Sequence, residues 1–257
     1  MPSNYYPLGG LPPRNQAVPA DTSETVMIQR PAVFPRMLRQ LATIAICALL
    51  SSPARGQNQP PGHAREPIIG GPCEGCEGVF EGLPATLSSA TRIAPPGEPG
   101  QPTIIDGIVR NLGGAPVAGV IVYAYHTDAS GIYRPIENAP GASARRHGQL
   151  RGWAMTDSLG RYQFITIRPG HYPQRNAPQH VHMHIIEPGC CTYYIGSIVF
   201  RDDPLLTDAA REKTRGDRGG SGLATPTRGA DGIWHVRRDI RLGAGVPGYD
   251  ETRRRRP

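Results

Sequence analysis

Lysine is almost missing from this chain. Lys213 is the sole example in 257 residues, so 27 of the 28 basic residues are arginine. Charge of either sign is sparse, at 19% of the residues, and aromatics make up only 6%. A coiled coil or long solvated helix is excluded, because no heptad run survives the 32 glycines and 28 prolines. Together these make 60 of 257 residues, near 23%, which stays below the roughly 25–30% of low-complexity chains. No second apolar stretch approaches the ~18 residues of a membrane span, so a multi-span protein is excluded too. The net charge is +7, yet no basic face interleaved with aromatics is visible, and no nucleic-acid partner is expected.

What is there begins with an address. Arg36-Met37-Leu38-Arg39 precedes an apolar run from Leu41 to Leu50, and Ser51-Ser-Pro-Ala-Arg-Gly56 follows. A basic entry, a short apolar stretch and a small-residue zone read as a signal peptide, cleaved after Ala54 or Gly56. Residues 1–56 are therefore assigned to a leader, with Met27 or Met37 as alternative starts. Ile46 before Cys47 argues against a lipid anchor. Export to a periplasm or the exterior follows, with no membrane attachment once the leader is gone.

Export sets the cysteine chemistry. Cys47 leaves with the leader, and Cys73, Cys76, Cys190 and Cys191 remain. An oxidising compartment favours disulfides, and four cysteines allow three pairings. Adjacent Cys190 and Cys191 are poorly placed to bond each other. The expected bridge joins one of them to Cys73 or Cys76, or joins Cys73 to Cys76. A zinc site built on Cys73-Glu-Gly-Cys76 would want a second CxxC or a histidine pair at finger spacing, and the sequence shows neither.

The body reads as β. Thr103 to Arg110, Val117 to Tyr125, Gly152 to Thr156, Arg161 to Ile167, His180 to Ile186, Tyr193 to Phe200 and Gly232 to Leu242 are strand candidates separated by Gly, Pro and Asp turns. The only helical candidate of note is Pro204 to Lys213, and residues 214–230 read as a long surface loop. The fold class is all-β, an antiparallel sandwich with long loops and little helix. Residues 57–102 form a cysteine-containing arm and linker, 103–247 the sandwich, and 248–257 a basic tail. Tyr162, Trp153 and Trp234 are core candidates, and His126 is assigned to core or surface.

His180, His182 and His184 alternate. In a strand they share one face, with Val181, Met183 and Ile185 turned the other way to the core. A row of imidazoles suits zinc, copper, iron or nickel.

The neighbours narrow the choice. Gly107 to Gly119 carries a hairpin pattern, and Tyr125-His-Thr-Asp-Ala-Ser-Gly-Ile-Tyr133 joins an aromatic strand, an acidic turn and a tyrosine. Thr156 to Pro173 contains Gly-Arg-Tyr-x-Phe and ends on Tyr172, and Pro178-Gln-His-Val-His182 follows. In order and spacing these four stretches resemble the intradiol ring-cleavage dioxygenases, over about residues 103–206.

The resemblance implies one Fe(III) per chain, held by Tyr133, Tyr172, His180 and His182. Phenolates are hard donors suited to ferric iron, and neutral imidazoles complete the set. It further implies a small aromatic diol and O2 as substrates, cleavage between the two hydroxyl-bearing carbons, and a muconate-type product. In the family the second tyrosine leaves the iron when substrate arrives, a part that falls to Tyr172.

Three departures stand out. The family's arginine three positions before the histidine pair is Ala177 here, and Arg175 is the candidate to replace it. The family's glutamine in the following strand is replaced within Gly196-Ser197-Ile198. His184 offers a shifted pair, His182 with His184, although Pro178 favours His180 with His182. The competing readings are an exported non-enzymatic binding module with a vestigial metal site, and a zinc or copper site on the histidine row without the tyrosines.

Overall fold

A computed structural model describes residues 65–73 and 75–252. The leader, Cys47 and the arginines of the tail lie outside the described residues. Among those described, no helix is long and apolar enough to cross a membrane.

Eleven strands form two sheets: β1 (Ala90–Arg92), β2 (Pro102–Arg110), β3 (Ile121–Tyr125), β4 (Arg151–Met155), β5 (Arg161–Ile167), β6 (His180–Glu187), β7 (Cys191–Phe200), β8 (Leu223–Ala224), β9 (Thr227–Arg228), β10 (Trp234–Arg237) and β11 (Ile240–Arg241). The first sheet runs β1-β5-β2-β10-β9, with β11 also on β2, and the second runs β4-β3-β6-β7-β8. The long central pairs, β2/β5, β3/β6 and β6/β7, are antiparallel as expected. However, β1/β5, β2/β10, β2/β11 and β7/β8 are parallel, so both sheets are mixed. The parallel members are two to four residues long and return by loops rather than hairpins, which leaves them free to run either way.

The described part of the segment expected to be an arm and linker, from residue 65 on, is built into the fold. It supplies β1 and a short 3₁₀ turn, Cys76–Val79. The single strand expected over 232–242 is broken into β10 and β11 around Arg238 and Asp239. The buried Arg238 side chain donates to the carbonyls of Ser221, Gly220 and Asp239 at 2.8–2.9 Å. Among the described residues there are two short α-helices, α1 (Ala142–His147), which the sequence does not announce, and α2 (Asp208–Lys213).

One apolar core lies between the sheets and includes Val122, Ala124, Phe164, Val181, Met183, Ile185 and Ile198. Tyr162 belongs to it as expected, while Trp234 is only half-buried. A second cluster covers the outer face of the second sheet, with Val79, Ile121, Tyr123, Tyr125, Trp153 and Ile186. Strand alternation makes the two layers. Val122 and Ala124 of β3 turn inward, while Ile121, Tyr123 and Tyr125 turn outward beneath the 3₁₀ turn. The same alternation sends Val181, Met183 and Ile185 inward and lines His180, His182 and His184 along the outer face.

The cysteines pair as Cys73–Cys76 and Cys190–Cys191. The first is one of the expected alternatives. The second corrects the expectation that adjacent cysteines would not bond each other. They flank the start of β7, where the Cys190 amide closes a turn onto Glu187 O at 2.9 Å. No bridge joins the two pairs.

Candidate functional site

Two loops and one strand bring the site together. After β3, the Asp128 carboxylate accepts from the Ser130 and Ile132 amides at 2.9 and 3.1 Å, which folds residues 128–132 into a tight turn. Gly131 completes it at φ +83°, and any Cβ there would strike His171 O at 1.7 Å. This turn delivers Tyr133. Asp128 O also accepts from the Gly170 amide at 2.8 Å, tying the loop that carries Tyr172 to the one that carries Tyr133.

The Tyr172 loop is clamped from its other side. Arg168 makes a two-pronged contact with Asp202, both bonds at 2.8 Å, and its Nε donates to Gln179 at 2.7 Å. The Asp203 carboxylate is buried and accepts from the Gln179 amide at 2.6 Å, from the Leu205 amide at 2.8 Å, and sits 2.9 Å from His171 Nε2. Nothing in the local sequence pairs Arg168 with a carboxylate 34 positions on.

Within this frame, Tyr133 Oη lies 2.9 Å from Tyr172 Oη, and Tyr172 Oη lies 3.0 Å from His180 Nε2. His180 Nδ1 is 2.8 Å from Pro178 O, to which it donates. That bond leaves Nε2 with its lone pair facing the tyrosines. The proline offset is thus a physical device for tautomer and ring orientation. His182 stands edge-on to His180, with ring centroids 4.7 Å apart, and stacks on Tyr125 at 4.6 Å. Its Nε2 is buried and has no hydrogen-bond partner among the described residues.

An orphaned imidazole nitrogen, beside a second imidazole and two phenols that bond only to one another and to it, is the donor set a metal ion would satisfy. The structure therefore brings Tyr133, Tyr172, His180 and His182 together. Two neutral nitrogens and two phenol oxygens fit ferric iron.

Electrostatics agree with that use. Burial holds His180 and His182 below the ordinary imidazole range, and for His182 the surrounding histidines add to it. Both rings stay neutral, which is the ligating form. Burial pushes the Tyr133 phenol well above its ordinary value, helped by its bond to Tyr172. Burial raises Tyr172 too, but the bond from Tyr133 and the charge of Arg175 pull it back. Of the two phenols, Tyr172 gives up its proton more readily.

The remaining candidates fall in different places. Arg175 is exposed in the turn after Tyr172, close enough for its charge to act on that phenol. Ala177 is buried. Ser197 sits where β7 carries an extra residue opposite the Val181–Met183 stretch, and its Oγ is 3.4 Å from His182 Nδ1. His184 does not join the tyrosines; it lies next to Cys76, with Nδ1 3.8 Å from the sulfur. His126 is a core residue, its two nitrogens each 2.7 Å from Thr127 O and Thr166 Oγ1.

Comparison with known proteins fits this geometry. The family model described as Dioxygenase matches residues 84–218, just over half the chain and all four converging residues. The protocatechuate 3,4-dioxygenase beta chain of Burkholderia cepacia is 33% identical over 116 residues, which is 43% of this chain and 49% of that one. Catechol 1,2-dioxygenase 1 of Acinetobacter lwoffii is 27% identical over 168 residues, 54% of this chain and 53% of that one. The chain thus spans about half the length of the curated relatives it matches. Among solved structures, a mercury-inhibited catechol 1,2-dioxygenase from Acinetobacter sp. ADP1 aligns with a TM-score of 0.48 at 18% identity, over 66% of this chain and 62% of that one. On the family model, the chain belongs to the intradiol dioxygenase family.

Proposed function

We propose that the chain is an exported Fe(III)-dependent intradiol dioxygenase. It would open catechol-type diols between the hydroxyl-bearing carbons and place both atoms of O2 in a muconate-type product. The observation that carries this reading is the convergence of Tyr133, Tyr172 and His180 at 2.9 and 3.0 Å beside the orphaned His182 Nε2. Iron, when bound, supplies a Lewis acid that favours the diolate over the diol and makes its ring reactive toward O2.

The chain's own residues do the rest. Tyr133, Tyr172, His180 and His182 would hold the ion, with Pro178 O fixing the His180 tautomer and Tyr125 stacked on His182. Tyr172, on the loop clamped by Arg168 and Asp203, is the proton acceptor for one substrate hydroxyl. Arg175 stands in for the arginine that Ala177 replaces, and it stabilises negative charge on the bound diol.

The leader over residues 1–56 carries the export part of the reading. It would put the enzyme where aromatic diols from the surroundings are met. Oxygen uptake by the iron-loaded mature protein across a panel of catechols tests the whole. We expect a burgundy protein that consumes one O2 per diol. A colourless protein that takes up no oxygen with any catechol would return the chain to a non-enzymatic binding module.

A further inference from the structure

Beyond the four converging residues, a second set of metal-ligating side chains meets on the same outer face. Cys73, Cys76 and His184 each offer one donor atom, and all three lie within 4.8 Å of one another. Cys76 and His184 are 1% exposed. The set is invisible in sequence because His184 is 108 positions from Cys76. The 3₁₀ turn lies across β6, which carries the cysteine pair to the histidine that the tyrosines leave unused.

A fourth group, an imidazole, lies against the same turn, outside the 4.8 Å that unites the three donors. His147, the last residue of α1, is 0% exposed, and its Nε2 has no hydrogen-bond partner among the described residues. That nitrogen lies 3.0 Å from where a Cβ on Gly75 would stand, and the ring would collide with a Cβ on Gly78 at 2.4 Å. The residues flanking Cys76 at these two positions thus leave just enough room for the imidazole to press on the cysteine turn. His147 Nδ1 lies 2.8 Å from Tyr123 Oη. With Nδ1–H donating to that oxygen, Nε2 turns its lone pair to the turn, the outer-shell support that metal-bound histidines usually have. Helix α1 is held against the 3₁₀ turn by Glu81, whose carboxylate accepts from the Ala144 amide at 2.5 Å.

The spacing of Cys76 and His184 suits a small tetrahedral ion. Zn–S bonds near 2.3 Å and Zn–N bonds near 2.0–2.1 Å put neighbouring sulfur and nitrogen ligands about 3.5–3.6 Å apart. The Cys76 Sγ to His184 Nδ1 separation is 3.8 Å.

We propose that Cys73, Cys76, His147 and His184 form a second metal centre, which takes a zinc-class divalent ion when the cysteines are reduced. Binding turns two thiols into two thiolates and releases two protons, with no electron transferred. The Cys73–Cys76 disulfide is the alternative state. It forms when a small-molecule disulfide takes two electrons from the dithiolate and two protons from solvent, leaving as two thiols while the metal ion is released. The centre tethers the 3₁₀ turn and α1 to β6 and is separate from the tyrosine-bearing site.

Cobalt titration of the full chain, reduced under anaerobic conditions and stripped with chelator, tests this. We expect one equivalent to give a thiolate-to-Co2+ charge-transfer band with the strong visible bands of a tetrahedral site, and zinc to displace it. Tyr133→Phe should keep the bands, as should the Cys190→Ser/Cys191→Ser double variant. Cys73→Ser and His184→Gln should lose the thiolate band or its tetrahedral partner bands. His147→Gln should weaken binding by about tenfold or more. The proposal fails if reduced, folded wild-type protein with Cys73 and Cys76 measured as free thiols shows no thiolate band, or if Cys73→Ser keeps both the thiolate and the tetrahedral bands at wild-type intensity. Wild-type affinity in His147→Gln would overturn the four-ligand assignment.

Discussion

Tyr133 and Tyr172 are the same residue in two environments. Burial pushes Tyr133 well above the ordinary phenol range, whereas Tyr172, also raised by burial, is eased by its bond with Tyr133 and by Arg175. Tyr133→Phe should bleach the visible band and lower iron content, because it removes one of the two phenol oxygens of the proposed donor set. Metal analysis and the visible spectrum together check this. His180→Ala and His182→Ala should be colourless and inactive. His184→Ala should keep its iron, because its ring faces Cys76; loss of iron there, with retention in His180→Ala, would shift the histidine pair by two positions. Arg175→Ala should also keep iron but turn over more slowly, and an unchanged rate would remove Arg175 from the site.

His126 gives a pH prediction at the same scale. Burial lowers its pKa from 6.5 to about 4. The unfolded chain binds the extra proton between those values, so stability rises with pH across that window. It is complete above about pH 6.5 and is lost as the pH falls toward 4, amounting to roughly 3 kcal/mol. Denaturant melts of His126→Gln should show a flatter slope over that window than the wild type.

Among the elements, β6 was the most legible. Period-two alternation of His180, His182 and His184 against Val181, Met183 and Ile185 is written in consecutive residues, and the structure keeps it. The loop from Arg168 to Gln179 was not legible in the same way. Its order comes from Asp202 and Asp203, which follow the end of β7 and reach the loop only once β6 and β7 have paired. Asp203→Ala removes acceptors from two amides and a partner from His171. A loss of roughly 2–3 kcal/mol follows from the charged hydrogen bonds involved. Thermal melts should show this drop, and KM for the diol should rise as Tyr172 loses its fixed position. A variant with wild-type KM and melting point would show that the clamp is idle.

Across the whole molecule, both disulfides are local, with sequence separations of 3 and 1. In chain-entropy terms such small loops restrict the unfolded chain little, contributing about 2 kcal/mol each or less. The inter-sheet core of Phe164, Met183 and Ile198 carries the fold instead. Mild reduction should therefore leave a cooperative melt and the iron-dependent colour in place, with a small drop in melting temperature. Collapse of both on reduction would assign the bridges a larger part than their loops allow.

Composition, turn residues and strand periods were enough to establish a β-rich chain and its main strands, while the four residues that converge were legible only through the resemblance of their stretches to the intradiol dioxygenases. Those features are local, since each strand carries its own alternation and each loop its own turn chemistry. Only the tertiary structure decided the parallel edge strands, the bonding of Cys190 to Cys191, the Asp203 clamp, and the meeting of Cys76, His147 and His184. Apart from the Cys190–Cys191 bond, which is local, each of these depends on which strand lies beside which, and on groups far apart in the chain that touch only after the sheets have formed. A sequence states what each residue can bond to, and the packing of the two sheets selects the partner it receives.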